Sequence, residues 1–167
     1  MAAEEIELLD LSDKTILVVD DVKLMREVIK LSLSDIGAAK ILEAADAKRA
    51  FSYVRDWQID LVLLDWEMQP ISGIQFLKKL RGMEDERMRQ TPVIMVTSST
   101  ETKRIVEARD AGIHGYLVKP VSPAKLKQAV AKALGKRRAF ISTDNYTGPC
   151  RRVKNDQLYK GKERRQK

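Results

Sequence analysis

Three aspartates, a threonine and a lysine each stand at the end of a short apolar run. Asp20-Asp21 follow Thr15–Val19, Asp65 follows residues 60–64, Thr97-Ser98 follow residues 92–96, and Lys119-Pro120 follow residues 115–118. Brought together, three carboxylates with ordinary pKa values of about 3.9 repel one another unless positive charge sits among them. A hard divalent cation meets that need, and Mg²⁺ does so with a few oxygen ligands and several retained waters. Lys119 adds a compact ammonium and Thr97 a hydroxyl, each suited to hold an oxygen of an incoming phosphoryl group. Asp65 is then the nucleophile, because phosphoryl transfer to a carboxylate needs mostly positioning and charge neutralisation. Singly these signals are weak. An Asp-Asp after a strand is commonly a turn or helix cap, Lys-Pro is punctuation, and Thr-Ser caps a helix.

Their weight comes from the elements that position them. Residues 14–134 alternate β-branched apolar runs with helix-period segments, which predicts an α/β fold with a five-stranded parallel sheet, doubly wound and flavodoxin-like. The expected strands are 15–19, 40–43, 60–64, 92–96 and 115–118. The second is polar enough to belong at an edge. In an open parallel sheet, function gathers at the carboxyl ends of the strands, where all the residues above lie. For the first helix, Val22, Met25, Val28, Ile29, Leu33 and Ile36 form the expected buried stripe, ending at Gly37, with Leu24 and Leu31 off it. Phe51 and Val54, then Ile74, Leu77 and Leu80, then Ile105, Ala108 and Ala111 are the expected inward residues of the next three helices. Ser122-Pro123 opens the fifth as cap and first-turn proline.

Composition bounds the rest. The 167 residues are 44% hydrophobic and 33% charged, in the range of globular chains. No apolar run approaches the ~18 residues of a membrane span, and the start is acidic where a secretory signal is basic, so a cytoplasmic location is expected. Cys150 is the only cysteine, which excludes an intrachain disulfide and a cysteine-rich metal site. The net charge of +7 is uneven: residues 135–167 carry eleven Lys or Arg against three acids, a net of +8, so the other 134 residues carry 7 − 8 = −1. Three regions follow: an acidic leader (1–13) with an expected short helix through Ile6, Leu8 and Leu9, a domain (14–134), and a basic extension (135–167). In the extension Phe140, Ile141, Tyr146 and Leu158 are too sparse for a second core, so it is expected to dock on the domain or await a partner.

On Asp20-Asp21, Asp65 with Met68 and Gly73 after it, Thr97-Ser98 and Tyr116-Leu-Val-Lys119-Pro120, the sequence resembles the CheY-like receiver domains of two-component response regulators. The resemblance implies that Asp65 takes phosphate from a sensor histidine kinase or phosphotransfer protein. It also implies that Asp20, Asp21, Asp65 and the backbone carbonyl of Glu67 hold Mg²⁺, that Lys119 and Thr97 contact the phosphoryl group, and that Thr97 and Tyr116 form a switch pair. Phosphorylation would then change the surface of the fourth helix, fifth strand and fifth helix, which meets an output protein. Leu24 and Leu31 are the candidate kinase-docking residues. Two departures stand out: Gln69 separates Met68 from Pro70, where the family has proline directly after the methionine, and Ser98 replaces the usual small apolar residue. Glu67 lies where family members tune phosphate lifetime.

Rivals are weaker. A haloacid dehalogenase-like phosphatase uses Asp, Thr or Ser, Lys and Mg²⁺, but with its nucleophile on the first strand and its acid pair last, the reverse of the order here. A nucleotide switch lacks its Gly-rich phosphate loop. The basic tail leaves nucleic-acid binding as an alternative output, without any recognisable DNA-reading motif.

Overall fold

The computed structural model describes residues 10–135 and 138–151. Five strands, β1 (Thr15–Val19), β2 (Lys40–Ala44), β3 (Leu61–Asp65), β4 (Val93–Thr97) and β5 (Gly115–Val118), form one parallel sheet in the order β2-β1-β3-β4-β5. This is the flavodoxin-like arrangement, with the polar β2 at one edge. Successive side chains point to opposite faces, so a strand buried on both faces must be apolar throughout. β1 meets that requirement: Leu17 and Val19 pack into one core layer, Ile16 and Val18 into the other.

The helices α1 (Lys23–Asp35) and α5 (Pro123–Leu134) cover one face through Ile29, Leu33, Leu126 and Val130. On the other lie α2 (Ala47–Asp56), α3 (Gly73–Arg81) and α4 (Thr102–Asp110), with Val54, Phe76, Leu77 and Ala108 inward. Helix starts are set locally. Asp46 and Ser122 accept the Arg49 and Lys125 amides, and Ser72 with Gln75 forms a capping box. Gly37, at φ +96°, ends α1 in the left-handed region that glycine enters at little cost. Leu11 is also buried, in the α1–α5 layer.

Three apolar positions expected inside are outside. Val22 and Val28 are 50% and 42% exposed, and Ile105 on α4 is 39% exposed. Val22 has extended backbone as the N-cap, so it precedes the helical phase. Val28 lies about 100° around the helix from Ile29, the centre of the buried stripe. It belongs instead with Leu24 and Leu31, both about two-thirds exposed. His114, the only histidine, is half-buried, and its Nδ1 accepts the Val93 amide at 3.3 Å.

The described part of the extension docks on the domain, one of its two expected fates, and does so as a pair of strands. Strands β6 (Phe140–Thr143) and β7 (Tyr146–Pro149) form an antiparallel hairpin in which Thr143 pairs with Tyr146 across Asp144-Asn145. It docks at the end of the sheet opposite the aspartates. There a Cβ on Gly148 would meet Gly112 Cα at 2.5 Å, so the two backbones touch in a way only glycine permits. Arg81, at the end of α3, is buried beneath. Its guanidinium donates to the Gly112, Arg89 and Thr91 carbonyls and faces the Phe140 ring at 5.5 Å. Burial pushes its pKa down to about 10, which leaves the cation intact at neutral pH. The expected leader helix through Ile6, Leu8 and Leu9 and the residues after Arg151 lie outside the described residues.

Candidate functional site

The order β2-β1-β3 reverses the chain's direction of travel across the sheet between β1 and β3, and a crevice opens at the carboxyl ends of those strands. β1 delivers Asp20 and Asp21 there, β3 delivers Asp65, β4 Thr97, and the residue after β5 is Lys119. Carboxylate oxygens of Asp20, Asp21 and Asp65 all lie within 4.8 Å of one another. Asp20 and Asp65 are 1% and 5% exposed, whereas Asp21 faces solvent.

Lys119 stands between the two buried acids. Its Nζ donates to Asp20 Oδ2 at 2.8 Å and to Asp65 Oδ1 at 3.1 Å. The other Asp20 oxygen accepts the Val22 amide at 2.8 Å, and Arg26 donates to the Asp20 carbonyl at 2.8 Å. The start of α1, which lacks a cap from its own N-cap side chain, is thus tied to the acid pair. Burial raises the Asp65 pKa above the ordinary carboxylate value; Lys119 opposes the shift and Asp20 reinforces it. For Lys119 burial acts downward, but the Asp20 and Asp65 carboxylates outweigh it and hold the ammonium above its ordinary value.

The loop after Asp65 folds back to bring α3 against the strand end. Gly73 donates its amide to the Trp66 carbonyl at 2.9 Å, and a Cβ at Gly73 would overlap the Asp65 carbonyl oxygen. Within this loop Met68 is buried, and the Gln69–Pro70 peptide is cis, as is Lys119–Pro120. Thr97 is fully buried, and its hydroxyl oxygen accepts the Ser99 amide at 3.1 Å. The half-buried Tyr116 donates its hydroxyl to the Ser99 carbonyl at 3.1 Å, so both expected switch residues meet the backbone of one residue in the β4–α4 loop. Burial raises the Tyr116 pKa. Ser98 is exposed.

Asp20, Asp21, Asp65, Thr97 and Lys119 therefore converge, as their strand-end positions require. Leu24 and Leu31 do not enter the crevice and lie on the outer side of α1. One participant escaped the sequence reading. Arg104 of α4 donates to Glu67 at 2.8 Å, and its guanidinium lies 5.3 Å from the centre of the Trp66 ring. A contact across 37 residues carries no periodic or motif signal.

The donor set suits Mg²⁺: three carboxylates at strand ends, two of them buried, supply hard oxygens, and the single neighbouring ammonium leaves their charge under-compensated by about two units.

Comparison with known proteins agrees with the geometry. Residues 16–131 match the response regulator receiver domain family. The chain is 38% identical to chemotaxis protein CheY-3 of Vibrio cholerae over 117 residues, covering 70% of this chain and 88% of that one. It is 38% identical to chemotaxis protein CheY of Pseudomonas aeruginosa, covering 70% and 93%, and 35% identical to CheY1 of Helicobacter pylori, covering 72% and 96%. A high-resolution structure of the chemotaxis response regulator CheY4 of Vibrio cholerae superposes with a TM-score of 0.66 at 28% identity, covering 72% of this chain and 98% of that one. Among the described residues no helix is long and apolar enough to cross a membrane. A parallel sheet in the order 2-1-3-4-5, an acid cluster at its switch point and these relatives converge: the chain belongs to the CheY-like response regulator receiver family, signalling proteins rather than conventional enzymes, and carries an extension beyond the receiver.

Proposed function

We propose that this protein is a phosphorylation-dependent switch that accepts a phosphoryl group on Asp65 from a histidine kinase or phosphotransfer protein and signals through its α4-β5-α5 surface. One observation carries the reading: the Asp65 carboxylate is held by Lys119 within a crevice whose other acids, Asp20 and Asp21, leave negative charge for a divalent cation to balance.

Asp20, Asp21, Asp65 and the Glu67 carbonyl would hold Mg²⁺, which when bound neutralises charge on the phosphoryl oxygens. An Asp65 carboxylate oxygen forms the new P–O bond while the P–N bond of a donor phosphohistidine breaks, and the donor imidazole departs with the bonding electrons. Lys119, kept protonated by its two carboxylates, holds one phosphoryl oxygen, and the Thr97 hydroxyl reorients from the Ser99 amide to donate to another. Asp65 gains nearly two negative charges and new acceptor oxygens. Because Thr97 and Tyr116 share Ser99 as a partner, movement of Thr97 disturbs the Tyr116 hydrogen bond and with it the junction of β4 and α4. The exposed Ile105 and Val106 on α4 supply apolar surface for an output protein.

Leu24, Val28 and Leu31 form a second apolar strip on α1, the helix that starts two residues after Asp21, and we assign kinase docking to Leu24 and Leu31. The receiver unit is residues 14–134. In the extension, Arg138 donates to the His114 carbonyl and Arg151 pairs with Asp110, which ties these two cations to the domain. The test is labelling by acetyl phosphate in Mg²⁺. The wild type takes up phosphate and Asp65→Asn does not; equal labelling of the two refutes the assignment.

A further inference from the structure

Arg104 belongs to α4, yet its two contacts at this end of the sheet are with the residues that directly follow the phosphoacceptor. It donates from Nη1 to Glu67 Oε1 at 2.8 Å, and its guanidinium lies over the Trp66 ring with 5.3 Å to the centre. A longer ion pair, 3.8 Å, joins it to Glu101, the N-cap residue of α4. A planar guanidinium can stack on an indole and donate to a carboxylate together, a combination an ammonium cannot reproduce. Trp66 is 8% exposed and built into the core. Its carbonyl closes the loop by accepting the Gly73 amide, and the Glu67 amide faces the Asp65 carboxylate. The backbone that Arg104 grips through these two side chains is therefore the backbone that sets the position of the Asp65 carboxylate and the Glu67 carbonyl.

The geometry points to Arg104 as a positioning residue that clamps the Trp66-Glu67 segment from α4, holding the Glu67 carbonyl and the Asp65 carboxylate in the arrangement that takes Mg²⁺. This rests on the site assignment above. It adds a route by which the output helix and the metal site report to each other: any movement of α4 that breaks the clamp loosens the site, and by reciprocity metal binding favours the clamped position of α4.

Charge alone predicts the opposite outcome, which makes the clamp testable. Arg104 is a cation near a cation site, so removing it would strengthen Mg²⁺ binding if it acted only through space. Removing a group that orients a metal ligand weakens binding instead, by about tenfold at the lower end for supporting contacts. Titration calorimetry with Mg²⁺ on the full chain separates these. The expected result is about tenfold weaker binding for Arg104→Gln, partial recovery for Arg104→Lys, and a double variant Arg104→Gln/Glu67→Gln no weaker than Glu67→Gln alone. Arg104 lies on the surface of α4, so circular dichroism should show the variants folded. Unchanged or tighter binding by Arg104→Gln overturns the clamp, as does a double variant in which the two effects simply multiply. If the wild type itself takes no Mg²⁺, the site assignment falls and the clamp with it. If the wild type binds and Arg104→Gln matches it, only the clamp falls.

Discussion

Replacing Asp65 with asparagine should stabilise the metal-free protein while abolishing its function. At separations of up to 4.8 Å, each neighbouring carboxylate opposes ionised Asp65 by about 3.5 kcal/mol at an effective dielectric of about 20. Lys119, 3.1 Å away, returns about 5 kcal/mol on the same scale. Asp21 is exposed, which screens its share, but burial of Asp65 adds to the unfavourable side, the direction in which its pKa is displaced. The remainder is about 1 to 2 kcal/mol against the ionised side chain. In a chain of this size, that corresponds to a melting temperature about 5 °C higher for Asp65→Asn. Thermal unfolding in chelator and again in Mg²⁺ reads the effect. In Mg²⁺ the wild type should recover about 1.4 kcal/mol once the ion is at about ten times its dissociation constant, and Asp65→Asn should recover much less. A variant less stable than wild type in chelator would refute the charge argument, because it would mean that Lys119 already over-compensates the three acids.

Further outcomes follow from the same geometry. Lys119→Met strands two buried carboxylates and should cost about 3 kcal/mol at neutral pH; because Asp65 takes up a proton more readily than an ordinary carboxylate, the loss should shrink on acidification in pH-resolved melting curves. In the wild type the Lys119 contribution, fully present below the unfolded-state lysine pKa, should disappear only as pH rises through the raised folded value. Mg²⁺ affinity should fall as pH drops, starting above the ordinary carboxylate range since Asp65 must lose its proton to bind, and calorimetry over a pH series measures this. Gly148→Ala pushes a methyl into Gly112 and should weaken hairpin docking by about 2 kcal/mol; hydrogen exchange should then accelerate over residues 140–149 while β1 to β5 stay protected.

What could be read in advance is what local chemistry determines. β1 and β5 begin and end where their apolar runs do. β3 and β4 sit one residue later than expected, because Asp60 turns its carboxylate to the Thr15 amide and Pro92, lacking an amide hydrogen, offers the neighbouring strand only its carbonyl. The site residues were legible because each stands at the carboxyl end of a strand, and the parallel sheet brings those ends together. Side-chain direction on α1 was less so: a step of three or four residues places Val28 within reach of the buried stripe, and only the true centre of that stripe, near Ile29, decides that it lies outside. The hairpin had a local signal in Asp144-Asn145, two turn-forming residues between β-prone stretches. Its docking had none, since the Gly112–Gly148 approach and the buried Arg81 are meetings of distant segments. Arg104 belongs to the same class.

Borohydride cleavage gives the most direct test of the central claim, since it reduces an acyl phosphate on aspartate to homoserine and so marks the residue that carried the phosphoryl group. After treatment with acetyl phosphate in Mg²⁺, peptide mass spectrometry should find homoserine at position 65 alone, and none when the ion is chelated. Homoserine at Asp20 or Asp21, or conversion of Asp65 that is indifferent to Mg²⁺, would contradict the account.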